Sequence, residues 1–262
     1  MGWWATLAGG TLGYMLGGPI GAMIGAALGS SLGGASGRAR AGRIGTGRRA
    51  GGTNAERAQL AFFAAAFSVM GHISKADGRV TADEIRFVNE VMNQFALTGE
   101  QRRAAQALFN QGKSRQFSLN GVLDQLRREC LRGSNIRRVF VEIQFQAAWA
   151  DGAIHPTERR ILRHVTQRLG LSDADFIEIE RTTRAVNEDH PPSARVDDAY
   201  ATLGVSPNAS DDEVKRAYRR MMNRHHPDKL AAKGLPDEMM KAATERTQQI
   251  KAAWDVIKAA RK

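Results

Sequence analysis

From Asn54 onward, apolar residues recur at three- and four-residue intervals, the spacing that places them on one face of an α-helix. Leu60, Phe63, Phe67 and Met70 make one such stripe, and Val139, Ile143, Ala147 and Ala150 another. Breaks fall near Gly78, Thr98, Lys113, Gly133, Gly152 and Gly170, so residues 54–186 read as an all-helical domain. Asn187 to Asp197, with Pro191 and Pro192, reads as a linker, and residues 198–262 carry a second helical pattern. In that pattern Tyr200 and Leu203 share a face of a short helix that Gly204 can end in a left-handed conformation. Ser210 followed by Glu213 is a capping box opening a second helix, whose Val214, Ala217 and Met221 form a core stripe. Lys215, Arg216, Arg219, Arg220 and Arg224 occupy much of its remaining surface. Pro227 stops that helix and holds His226-Pro227-Asp228 in an exposed turn. A third helix, from about Pro236, repeats Ile250, Ala253, Trp254 and Ile257 at helical spacing and can lie antiparallel on the second. The fold class expected is all-α.

The first 33 residues follow a different pattern. Met1 to Gly37 contains no charged residue, and Trp3 to Leu32 is long enough to cross a bilayer, for which about 20 apolar residues suffice. Gly9, Gly13, Gly17, Gly21, Gly25, Gly29 and Gly33 recur at every fourth position, making a nearly bare face on which helix backbones can approach. Residues 1–33 are therefore expected to be a single transmembrane helix that self-associates as a homodimer, with Trp3 and Trp4 at one interface. Pro19 would kink it or mark a short hairpin, and a flexible glycine-rich tail is the plainer alternative. Residues 34–53 add Arg38, Arg40, Arg43, Arg48 and Arg49 among glycines. By the positive-inside rule the N-terminus lies outside and the body in the cytoplasm, a single-pass arrangement in a bacterial inner membrane. Over the whole chain of 262 residues the formal charge is +11, which admits nucleic acid, anionic lipid or an acidic protein as partner. The position of the arginines beside the apolar stretch favours lipid headgroups over nucleic acid. The one cysteine, Cys130, offers neither an internal disulfide nor a zinc module.

An internal repeat runs through the middle domain. Ala76-Asp-Gly-Arg-Val-Thr-Ala-Asp-Glu84 matches Ala150-Asp-Gly-Ala-Ile-His-Pro-Thr-Glu158, each a loop entering a helix. The pattern equals the later part of a calcium-binding EF-hand loop, but Ile73 and Lys75 in one copy, and Ala147 and Trp149 in the other, stand where carboxylates are needed. Asp77, Glu84, Asp151 and Glu158 could still meet across a pseudo-twofold as a metal site. The simpler account is that each Asp-Gly makes a turn and each Glu steadies the next helix's N-terminus.

The leading Tyr-x-x-Leu-Gly-Val turn, the basic helix, the His-Pro-Asp turn and the antiparallel third helix resemble the J domain of DnaJ-type co-chaperones. The paired loop-and-helix units of the middle domain resemble the TerB domain. Together with the apolar segment, this order is similar to that of membrane-anchored DnaJ-like co-chaperones. The resemblance implies binding to the ATP-bound form of a DnaK-type chaperone and stimulation of its ATP hydrolysis. His226, Pro227 and Asp228 would make the essential contact, and Lys215, Arg219 and Arg220 would meet an acidic surface. The chain carries no glycine/phenylalanine-rich linker or zinc-binding cysteines, which argues against substrate holding of the DnaJ kind. No nucleophile with a base, no phosphate loop and no zinc set is present, so neither an enzyme nor a cofactor is expected. An alternative makes the TerB-like domain primary, as a metal or envelope-stress sensor whose J domain only recruits a chaperone. A third would read the basic helix as a nucleic-acid binder.

Overall fold

The computed structural model describes residues 18–24, 54–76, 82–95, 97, 99–130, 134–149, 152–187, 195–236 and 239–261. Among them the secondary structure is helical throughout, without a strand, as the periodicity requires. The middle bundle contains α1 (Asn54–Ser74), α2 (Ala82–Gln94), α3 (Gly99–Gly112), α4 (Leu119–Glu129), α5 (Ser134–Ala148), α6 (Pro156–Arg168) and α7 (Asp173–Asn187). The terminal part contains α8 (Arg195–Leu203), α9 (Asp211–His225), a short α10 (Pro227–Ala231) and α11 (Met240–Ala260).

Helix α1 is the axis of the bundle. The sequence assigns it one apolar stripe, but every residue from Leu60 to Met70 is buried, because α3, α4, α5 and α6 enclose it. Phe62 meets Phe140 edge-on at 5.5 Å, and Phe67 meets Phe95 at 6.4 Å. Two polar side chains in this core bond to the backbone of α1: Ser68 Oγ donates to the Ala64 carbonyl at 2.7 Å, and Gln144 Nε2 donates to the Ala66 carbonyl at 3.3 Å, while Gln144 Oε1 stays unpaired. Glycines set the contact with α3. A Cβ at Gly71 would stand 2.0 Å from the Phe109 carbonyl oxygen, and one at Gly112 1.8 Å from that of Ser68.

A short helical piece at 18–24 also lies on the bundle, with Ile20 and Ile24 buried in its core. The Ile20 amide donates to Gln125 Oε1 at 2.9 Å, and Gln111 Nε2 donates to the Met23 carbonyl at 3.1 Å. Of the seven periodic glycines only Gly21 falls here, and it is buried; Gly9, Gly13, Gly17, Gly25, Gly29 and Gly33 lie outside the described residues. No helix among the described residues is long and apolar enough to cross a membrane.

The terminal hairpin has a core of its own, built from Tyr200, Leu203, Val214, Met221, Ile250 and Ile257 among others. Gly204 takes φ +72°, ending α8 in the left-handed conformation expected of it. Ser210 and Glu213 form the capping box of α9, each side chain bonded to the other residue's backbone N–H. Helices α9 and α11 run antiparallel, since Arg261 at the end of α11 pairs with Asp211 at the start of α9 while Thr247 Oγ1 donates to the His225 carbonyl. Helix α11 begins at Met240 rather than near Pro236; Pro236 and Leu235 are buried in the segment that precedes it.

Candidate functional site

The His-Pro-Asp turn is produced by one proline. Pro227 disfavours the α conformation in the residue before it, so His226 stands at φ −60°, ψ 121° and ends α9. Proline is equally suited to the first turn of a new helix, and Pro227 opens α10 directly, a restart that the sequence reading treated only as a stop. The His226 carbonyl accepts from the Lys229 and Leu230 amides at 3.1 Å each. His226 and Asp228 are exposed and Pro227 is half-buried. Lys215, Arg216, Arg219 and Arg220 are all exposed on the outer face of α9, so a strip of positive charge leads along the helix towards the turn.

Arg224 departs from that strip. The sequence places it with the basic face, but it is 7% exposed and turns into the seam with the middle bundle. Its Nη1 donates to Glu178 Oε1 at 3.1 Å, and Arg138 Nη1 donates to the other oxygen of the same carboxylate at 3.1 Å. Arg138 also pairs with Asp175. Burial raises the pKa of Glu178, but Arg224 and Arg138 outweigh this and hold it below the ordinary value. Beside this clamp, Glu142 of α5 is 7% exposed. Burial pushes its carboxyl above the ordinary 4.5, opposed by Arg246, then Arg224, then Arg138. His225 Nε2 lies 3.6 Å from Glu142 Oε2, too far for a hydrogen bond. Burial, reinforced by Arg246, Arg224 and Arg138, holds the His225 pKa well below 6.5, so the ring is neutral and the contact is not an ion pair. Three guanidinium groups thus face three carboxylates, and a proton on His225 would upset the balance.

Sequence reasoning missed this cluster, although it left a trace. Glu142 is the lone carboxylate in the run Val139 to Phe145, and one charge amid apolar helix positions calls for a buried partner. Val139 and Ile143 are buried in the middle bundle's core and also line a cavity of about 40 Å³ with Glu142, His225, Leu230 and Arg246. Their stripe therefore extends the bundle core to the terminal hairpin.

Most of the candidate metal residues fall outside the described part of the chain. Asp77 and Asp151, and the side chain of Glu84, lie outside the described residues. Glu158 accepts the His155 amide at 2.9 Å and closes the capping box of α6, and Gly152 takes φ +83° in the turn before it. No group of three or more potential ligands occurs among the described residues. Cys130 is buried and its pKa is raised to about 12, chiefly by desolvation, which leaves an inert thiol.

A helical hairpin with a basic second helix and an exposed His-Pro-Asp turn defines a J-domain protein, and residues 198–262 match the family model of the DnaJ domain. Residues 63–181 match that of the tellurite resistance protein TerB, and residues 1–40 that of the co-chaperone DjlA transmembrane domain. Proteins named co-chaperone protein DjlA are similar over most of their length. The one from Photobacterium profundum is 42% identical over 78% of this chain and 79% of its own. That of Vibrio cholerae is 43% identical over 80% and 81%, and that of Coxiella burnetii 43% over 78% of each. The chain belongs to the co-chaperone DjlA family. No solved structure matches it.

Proposed function

We propose that this protein is a membrane-anchored co-chaperone whose J domain, residues 198–262, stimulates ATP hydrolysis by a DnaK-type chaperone and recruits it to the cytoplasmic face of the inner membrane. One observation carries the reading: Lys215, Arg219 and Arg220 are exposed on a helix that ends in the exposed pair His226 and Asp228. Cations along a helix steer encounter with an acidic partner. A fixed turn then presents one carboxylate and one imidazole to a conformation that only the activated partner offers, and such differential binding shifts that partner's equilibrium. The bond-breaking chemistry belongs to the chaperone. The relatives' names, which call them co-chaperones, support the same role.

The anchor is assigned to residues 1–33, with the arginines from Arg38 to Arg49 against anionic headgroups, the N-terminus outside and the periodic glycines as a homodimer face, an arrangement that requires Ile20, Gly21 and Ile24 to leave the bundle on which they are buried in this fold. Residues 54–186 form the TerB-like domain and 187–197 the linker. Single-turnover ATP hydrolysis by DnaK in the presence of the full chain in detergent micelles tests the central claim. Stimulation by the parent and its loss in Asp228→Asn, with an unchanged circular dichroism spectrum, is the expected result; equal stimulation by both would refute it. A reporter fused at Lys262 that proves periplasmic would reverse the orientation.

A further inference from the structure

The His-Pro-Asp turn is exposed, yet the chain on both sides of it is buried against the middle bundle. His225, directly before it, is 2% exposed, and Leu230, just beyond Asp228, is 0%. Leu230, Leu235, Met239 and Ala243 belong to the hydrophobic core of the middle bundle and not to the separate core that closes α8, α9 and α11. The residues that follow the turn therefore take their order from the neighbouring domain. Gly234 seats them: its φ is +97°, and a Cβ there would stand 2.5 Å from that of Ala58. Gln59 Nε2 donates to the Leu235 carbonyl at 3.4 Å alongside. At the centre of the seam, buried Glu142 lines a small cavity with Leu230, His225 of α9 and Arg246 of α11, its Oε2 lying 3.6 Å from His225 Nε2.

We infer that Glu142 is a positioning residue for the chaperone-stimulating turn: by holding Arg246 and the end of α9 on the middle bundle, it fixes both flanks of His226-Pro227-Asp228 before a partner arrives. The inference rests on the DnaK-stimulating function proposed above. Ordering a loop during association lowers affinity, so a turn ordered beforehand lowers the concentration needed for half-maximal stimulation. The maximal rate belongs to the exposed residues themselves. The TerB-like domain is on this account part of the active surface's support, and the J domain is a docked element instead of a freely tethered one.

Two variants approach the seam from different directions. Glu142→Gln keeps the side chain's volume and removes its charge, while Ala58→Leu wedges against Gly234 and touches neither the charged cluster nor the hairpin core. Steady-state ATP hydrolysis is followed with DnaK varied against a fixed amount of the full chain in detergent micelles, so that loss of folded co-chaperone lowers the plateau without moving the midpoint. Both variants are expected to speed amide exchange at 226–235 and to raise the midpoint at least about fivefold, the lower end of ordinary coupling between sites. The plateau stays unchanged, and Glu142→Asp recovers most of the midpoint. Unchanged exchange, faster exchange with an unmoved midpoint, or a lowered plateau alone would each overturn the positioning role while parental stimulation stands. A parent that fails to stimulate DnaK at all would overturn the co-chaperone reading and this role with it.

Discussion

Arg219 and Arg224 share one helix and one charge, but the structure separates their roles. Arg219 is exposed and free of the seam, whereas Arg224 is 7% exposed and bonded to Glu178. Arg224→Ala removes one of the two guanidinium groups on the half-buried Glu178 carboxylate and is expected to lower unfolding stability by about 2 kcal/mol in denaturant titrations. Arg219→Ala should change stability by less than about 0.5 kcal/mol and instead weaken stimulation of DnaK. His225 gives the seam a pH dependence. The folded chain keeps this ring neutral while the unfolded chain titrates at its ordinary 6.5, so below about 6.5 the unfolded state binds the extra proton and stability falls with falling pH. Glu142 works in the opposite sense: from 4.5 up to its raised value the folded state holds a proton that the unfolded state has lost, so stability falls as pH rises through that window. The difference between the melting profiles of the parent and His225→Gln isolates the first effect. That difference should shrink as pH is lowered from 7 to 5, because only the parent is penalised by protonation. The exposed turn residues were legible in the sequence, since a His-Pro-Asp triplet after a basic helix has a local meaning. The buried role of Arg224 was not, because its partner lies on another domain.

Among the elements, the α1–α3 pair is the most tightly specified. Helices can approach this closely only where side chains are missing, and Gly71 and Gly112 each face a carbonyl oxygen of the other helix at a distance that no Cβ tolerates. Gly112→Ala must push the helices apart and is expected to cost about 1–3 kcal/mol, measured as a lowered midpoint of urea unfolding. An alanine on an exposed helix face would be stabilising by comparison. At the start of α9 the Ser210 and Glu213 box satisfies two backbone donors, and Ser210→Ala should lower stability by about 1 kcal/mol in the same assay. The capping box and the left-handed Gly204 are read directly from local sequence. The close approach of α1 and α3 is not, because two glycines far apart in the chain do not announce which helix each will meet.

For the whole molecule, the seam joins two hydrophobic cores through residues that belong to the hairpin by sequence and to the bundle by burial. Leu230, Leu235 and Met239 lose their cover if the domains part, so the two should unfold together. Calorimetry of the full chain in micelles is expected to show one main transition, and two well-separated ones would mean that the seam contributes little. The sequence by itself determined the all-α class, the breaks between helices, the basic face of α9 and the exposed turn, because each depends on periodicity, capping or proline stereochemistry within a few residues. Only the tertiary structure decided that Val139 and Ile143 reach the hairpin, that Arg224 is buried, and that Glu142 lies beside His225 of α9 and shares a cavity with Arg246 of α11. An apolar or charged side chain records that it wants a partner, and the partner's identity is fixed only when distant helices pack.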